Sequence, residues 1–155
     1  MKCSIFVIAK VVVKYLLWYF TPALASRYRN GYPRSLNGAP FLLPTANTAL
    51  RRSLDQWFDA KELSPSIQAE VEDSALLKTF GAAGAGLFFS PLVVANEIHR
   101  QYGTEIVGKI EGVSERFYAI TAQRKLKHPS VVAILENAQK GLFGLLKTPG
   151  SDAAF

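Results

Sequence analysis

Cysteine is almost missing from this sequence: Cys3 is the single one in 155 residues. One thiol forms no intrachain disulfide and no cysteine metal cluster, which suits a reducing compartment. Histidine is nearly as scarce, with only His99 and His128. They lie far apart and lack the i, i+4 spacing of a ligand pair, so no metal site is expected. No Ser sits in a Gly-x-Ser-x-Gly elbow, and no Gly-Lys-Ser/Thr follows Gly81, Gly84 or Gly86 to complete a phosphate loop. Without a nucleophile–base pair or a metal constellation, an enzyme on this scaffold is disfavoured and no cofactor is expected. Acids are absent from the whole front of the chain. None precedes Asp55, whereas Lys2, Lys10, Lys14, Arg27, Arg29 and Arg34 all lie before Ser35. The net charge of +6 thus belongs to the N-terminal segment, because from Ser35 onward twelve Lys/Arg balance twelve Asp/Glu. The rest of the chain gives no electrostatic reason to bind nucleic acid, and the basic run Arg124, Lys125, Lys127 reads as a solvated turn.

A long uninterrupted apolar run is also lacking. The opening segment, MKCSIFVIAKVVVKYLLWYFTPALASRYR, is apolar, but Lys10 and Lys14 break it. A lysine at mid-membrane costs about 2.5–3.5 kcal/mol on the insertion scale. Three readings stand: a soluble or read-through segment, a membrane-surface helix, and a signal or anchor with Ala23-Leu24-Ala25 as a cleavage site. The first is preferred, so no stable membrane insertion and a cytoplasmic location are expected.

What is present is an alternation of strands and helices between Phe41 and Pro91. Phe41-Leu42-Leu43 reads as an apolar strand. A helix follows, with Leu50, Leu54, Trp57 and Phe58 on one face and Arg51, Arg52, Asp55 and Asp59 mostly off it. Thr45 or Asn47 is its expected N-cap. Leu63-Ser64-Pro65 is a turn, and residues 67–71 alternate enough to be a strand. Asp73-Ser74 opens a second helix that Gly81 and Gly84 end. Leu87-Phe88-Phe89 is a short strand apolar on both faces. Ser90-Pro91 is expected to cap a third helix that stops before Gly103. This order demands parallel strands joined by crossovers, with helix starts along one edge. Beyond Gly103, strands are expected at residues 105–110 and 115–123, separated by a turn or hinge at 111–114. A last helix carries Val131, Val132, Ile134 and Leu135, and a flexible tail occupies 142–155.

This ordered set resembles the effector-binding domain of LysR-type transcriptional regulators, closest to the branch of sodium/proton antiporter activators. The resemblance is carried by Ala23-Leu24-Ala25, the run from Tyr32 to Pro44, Leu54-Asp55-Gln56-Trp57-Phe58 and Asp73-Ser74-Ala75-Leu76-Leu77-Lys78. It continues through Gly84-Ala85-Gly86, Phe117-Tyr118-Ala119-Ile120 and the run from Leu126 to Val132. It implies an α/β, periplasmic-binding-protein-like (type 2) fold of two lobes around a cleft. Residues 31–112 are expected to be a complete second lobe. Residues 113–141 are expected to be the returning strand and closing helix of a partial first lobe, and residues 1–30 a divergent segment ending in a lobe-crossing strand at Trp18-Tyr19-Phe20. The expected chain is a truncated regulator, lacking the winged helix-turn-helix through which the family contacts DNA. The resemblance further implies homo-oligomers in the full-length family and regulation of sodium/proton antiporter genes.

The expected partner is a small-molecule or ion effector. Thr45, Ala46 and Asn47 follow the first strand, and in the resembled fold their turn faces the cleft, where free N–H groups take an anion or carbonyl. Asp73 and Ser74 stand at the next helix start, and Ser90 at the end of the third strand. Each of these is also a position where a plain helix cap belongs. The alternative function is an exported or membrane-anchored solute-binding protein of the same fold.

Overall fold

The computed structural model describes residues 6–121, 129–130, 132–134 and 136–137. Along the chain come β1 (Phe6–Val13), β2 (Leu16–Phe20), α1 (Pro22–Arg29), β3 (Pro40–Leu43), α2 (Ala49–Ala60) and β4 (Ser66–Glu70). Then follow α3 (Ser74–Ala82), β5 (Phe88–Pro91), α4 (Ala95–Tyr102), β6 (Glu105–Ile110) and β7 (Glu115–Thr121). The chain divides into two compact units, one of Val13–Glu115 and the other of Met1–Val12 with Arg116–Phe155.

In the Val13–Glu115 unit, β3 and β4 pair in parallel, Pro40 against Ser66 and Leu43 against Glu70. Phe41 bridges in parallel to Leu87, just ahead of β5, with Leu42 N–H donating to Leu87 C=O at 2.8 Å and Leu87 N–H to Pro40 C=O at 2.8 Å. The expected strand–helix–strand order is therefore present, and β3, β4 and β5 run the same way. The sheet is nonetheless mixed, because β2 lies antiparallel between β5 and β6. All five residues of β2 are buried. Its Trp18 meets Phe41 edge-on at 4.9 Å and stacks near Phe58 at 5.8 Å, while Phe41 and Phe58 are themselves 4.9 Å apart. Aromatic pairs of this kind add about 0.5–1.5 kcal/mol each beyond area burial. The sheet and α2 thus share one aromatic core.

Several local expectations are corrected. Residues 1–30, expected as a divergent segment ending in a strand at Trp18-Tyr19-Phe20, also hold β1 at Phe6–Val13. Ala23-Leu24-Ala25 lies inside α1, where Ala25 is fully buried rather than an open cleavage site. Gly81 does not terminate α3. It lies within the helix, and a Cβ there would overlap the Phe88 ring, so its role is close approach of helix to strand. Gly84, at φ +86°, does sit past the helix end, after the C-cap Ala83. Ser90-Pro91 does not cap α4; Pro91 stands only at the N-cap position of a 3-10 turn at Leu92–Val94, with no side-chain cap bond. Both residues stay in β5, with Ser90 opposite Leu17 and Pro91 opposite Leu16, and α4 starts only at Ala95 after a 3-10 turn. Pairing with the buried β2 outweighs the local signal of proline at a first helical position. On α2, Leu54, Trp57 and Phe58 are buried as expected, but Arg51 is buried with them and Leu50 only partly so.

In the other unit, β1 and β7 form a two-stranded sheet. Residues 129–130, 132–134 and 136–137 are helical, in line with the expected last helix. The basic run at 124–127, His128, Val131, Leu135 and the tail at 142–155 lie outside the described residues.

Candidate functional site

Three parallel strands end at one edge of the sheet, and the candidate residues stand at those ends. Pro44 is buried after β3, Thr45 is half-buried, and Ala46 and Asn47 are exposed. The cap of α2 is Thr48, not Thr45 or Asn47: its side chain accepts from Arg51 N–H at 3.1 Å. Thr48 also turns back on the loop, donating through N–H and Oγ1 to Thr45 C=O at 3.2 and 3.1 Å. The Thr45 hydroxyl donates to Asn47 Oδ1 at 2.8 Å. The loop is closed on itself, and no hydrogen bond from the Ala46 or Asn47 backbone N–H is present among the described residues.

At the next strand end, Asp73 caps α3. Its Oδ1 accepts from Ala75 and Leu76 N–H at 2.8 and 2.9 Å, and Ser74 is the first helical residue rather than the cap. Such a carboxylate is already engaged by its own helix start, which its charge also favours. Ser90 is fully buried within β5, and its Oγ has no hydrogen-bond partner among the described residues. The topology therefore brings residues 45–47, Asp73–Ser74 and Ser90 to the ends of three co-directional strands.

One residue at this edge escaped the sequence reading. Arg51, 6% exposed, reaches from α2 to both neighbouring strand ends. Its Nη1 donates to Pro44 C=O at 2.8 Å and to Glu70 Oε1 at 2.6 Å, and its Nε donates to Asp55 Oδ1 at 2.9 Å. Burial disfavours the guanidinium's charge, but hydrogen bonds to Glu70 and Asp55 outweigh it and push its pKa above the ordinary arginine value. The available signal was spacing: Arg51, Leu54 and Phe58 fall at i, i+3 and i+7, with Asp55 at i+4.

Elsewhere, a groove of about 320 Å³ runs between α2 and the turn after β6, lined by Gln56, Trp57, Lys61 and Glu111 among others. It contains none of the candidate residues. His99 places Nδ1 2.9 Å from Thr104 C=O beside the C-terminus of α4. Among the described residues no group of three His, Cys, Asp or Glu side chains is arranged to hold a metal.

The sequence profile of the LysR substrate binding domain matches residues 14–142. The chain belongs to the LysR substrate binding domain family. This LysR domain is 32% identical over 112 residues to the transcriptional activator protein NhaR of Escherichia coli K12, an alignment covering 72% of this chain. It spans 37% of the length of that relative. Among solved structures, it is similar to the effector domain of the transcriptional regulator AmpR of Pseudomonas aeruginosa, with TM-score 0.59 and 18% identity, covering 89% of this chain and 68% of that one. It is also similar to the bromide ion-bound regulatory domain of HypT from Salmonella typhimurium, with TM-score 0.56 and 14% identity, covering 89% and 64%. The LysR domain thus has the periplasmic-binding-protein-like α/β fold of effector domains and is homologous to NhaR, within a family of transcriptional regulators. Among its described residues no helix is long and apolar enough to cross a membrane.

Proposed function

We propose that this LysR domain senses a small molecule or ion at the shared edge of β3, β4 and β5, without catalysis, as the cytoplasmic effector region of an NhaR-like activator of sodium/proton antiporter genes. In this reading residues 31–112 are the second lobe of the effector domain, and 113–141 return to the first. DNA contact and homo-oligomerisation belong to the full-length regulator. Sensing then rests on a ligand having different affinities for two conformations of the domain, since equal affinity shifts nothing.

The observation that carries the proposal is the state of the loop at 45–47. The Thr45 side chain and carbonyl are taken up by Asn47 and Thr48, and the Asn47 carbonyl by Arg52, while the Ala46 and Asn47 N–H groups, just ahead of the N-cap Thr48, have no partner among the described residues. Unpartnered N–H groups at a helix N-terminus favour an anion or a carbonyl oxygen. The contacts assigned to the effector are Thr45, Ala46 and Asn47, with Asp73, Ser74 and Ser90 flanking them. Asp73 is the weakest of these, because its carboxylate caps α3.

The test is a titration followed by backbone amide NMR, with sodium against potassium at constant ionic strength, bromide against chloride, and acetate. Shifts clustered at 45–47 and 73–76 are expected with at least one titrant. Shifts confined to His99 or His128, or none at either turn with any of these titrants, would refute the proposed site.

A further inference from the structure

We infer that Arg51 is the positioning residue of this edge: its buried guanidinium ties Pro44, directly ahead of the loop at 45–47, to Glu70 at the end of β4, so that the two helix starts are held as one piece. The inference rests on the effector reading only for what the edge binds; the bracing itself is measurable without any ligand.

The geometry is specific to a guanidinium. Three acceptors from three elements converge on it: the Pro44 carbonyl from the end of β3, Glu70 from the end of β4 and Asp55 from α2. One nitrogen, Nη1, serves both Pro44 and Glu70, at 2.8 and 2.6 Å, so the two strand ends share a single anchoring atom. A planar fork fixes the directions of its bonds, whereas a lysine ammonium offers one compact donor group on a flexible stem. Two features argue for positioning rather than bulk stability. Only the guanidinium loses its water, since the Glu70 and Asp55 side chains stay 41% and 49% exposed, and ion pairs to such solvated carboxylates contribute little net stability. An apolar residue here would fill the same space beside Leu54 and Phe58, but it would leave the Pro44 carbonyl and the Glu70 carboxylate without their common partner. Position in the chain gives the second argument. Pro44 immediately precedes the loop whose N–H groups lack partners, and Glu70 lies three residues before Asp73, the cap of α3. A displacement at one turn therefore reaches the other through Arg51.

The experiment uses the full chain and compares wild type with Arg51→Lys and Glu70→Gln by ¹⁵N relaxation and amide hydrogen exchange. In the wild type, order parameters at 45–47 and 73–76 are expected near the rigid backbone value of about 0.85. Arg51→Lys is expected to lower them toward roughly 0.6 at both turns, although only one turn adjoins the mutated helix, while exchange in β2 and β6 stays as in wild type. Glu70→Gln keeps shape and removes charge on a partly exposed side chain, so it is the variant to read if Arg51→Lys does not fold. It is expected to loosen 73–76 more than 45–47. Unchanged order at both turns would overturn the inference. A uniform rise in exchange across the whole Val13–Glu115 unit would also overturn it, because Arg51 would then serve stability alone. Where a titrant shifts the wild-type loop, its midpoint is expected to rise about tenfold in Arg51→Lys, since a loop not already ordered must be ordered on binding. A wild type that no titrant shifts refutes the proposed effector site but leaves the bracing result standing.

Discussion

β2 and β7 are both strands with aromatic and aliphatic residues, but β2 is apolar throughout while β7 mixes them with Glu115, Arg116 and Thr121, and their environments are opposite. In β2, LLWYF, every residue is buried between β5 and β6. In β7, ERFYAIT, Phe117 is 44% and Ile120 61% exposed, and the strand belongs to a two-stranded sheet with β1. Both form strands, but the fully apolar β2 has a neighbour on each edge and became core, whereas the mixed β7 has one partner strand and stays exposed. A strand flanked on both edges and covered by α2 contributes its full transfer free energy, whereas a strand in an isolated pair contributes little.

The largest test of that contrast truncates one aromatic in each strand. Trp18→Ala is expected to destabilise by about 3–5 kcal/mol, as for a large core residue. Phe117→Ala is expected to cost less than about 1.5 kcal/mol, because much of its ring already faces solvent. Urea unfolding of both variants checks this, and equal losses would abolish the distinction. Second in size is Gly81→Val, which sets side-chain atoms into the Phe88 ring next to β2. Overpacking there is expected to cost about 1–3 kcal/mol, read as a lower urea midpoint with unchanged slope.

Third comes the pair Asp73→Ala and Ser74→Ala. The structure gives the cap to Asp73, so its loss should cost about 0.5–2 kcal/mol, while Ser74→Ala should fall within about 0.5 kcal/mol of wild type. The reverse ranking would return the cap to Ser74. The smallest effect is expected at Glu115, the first residue of β7 and the last of the Val13–Glu115 unit. Burial raises its pKa above the ordinary carboxylate value, and Lys78 opposes the rise without cancelling it. The folded state therefore favours the protonated acid. Its ionisation removes stability as pH climbs from the unfolded pKa through the folded one. Glu115→Gln should raise the Tm at about pH 7 and leave it unchanged at about pH 3, where the acid is neutral in both states. A gain of equal size at both pH values would assign the effect to something other than this charge.

Much of the candidate edge was legible before the structure. The helix from Ala49 to Ala60 showed in Leu54, Trp57 and Phe58, and the strand Glu105–Ile110 showed in its bounding turn residues. Caps were legible as places but not as atoms. Thr45, Asn47 and Thr48 all carry suitable oxygens, and only the path of the loop selects Thr48. Ser90-Pro91 was misread because a local helix-start signal competes with a strand ladder that depends on β2, more than seventy residues earlier. Arg51 was misassigned for a related reason. Helical spacing alone says which positions share a face, and here a cation occupies a core position because its acceptors come from other elements.

By itself, the sequence determined what depends on neighbours along the chain. The amphipathic stripe of α2, the β3–α2–β4 order and its parallel consequence, and the family all follow from residues read in order. The tertiary structure alone decided what depends on distant partners: the antiparallel insertion of β2, the extension of β5 through Pro91, the packing of Gly81 on Phe88, and the convergence of Pro44, Glu70 and Asp55 on Arg51. The physical reason is that a side chain's hydrogen bonds and burial are settled by whichever groups the fold carries to it, and local propensities of a few tenths of a kcal/mol yield to contacts that together are worth several.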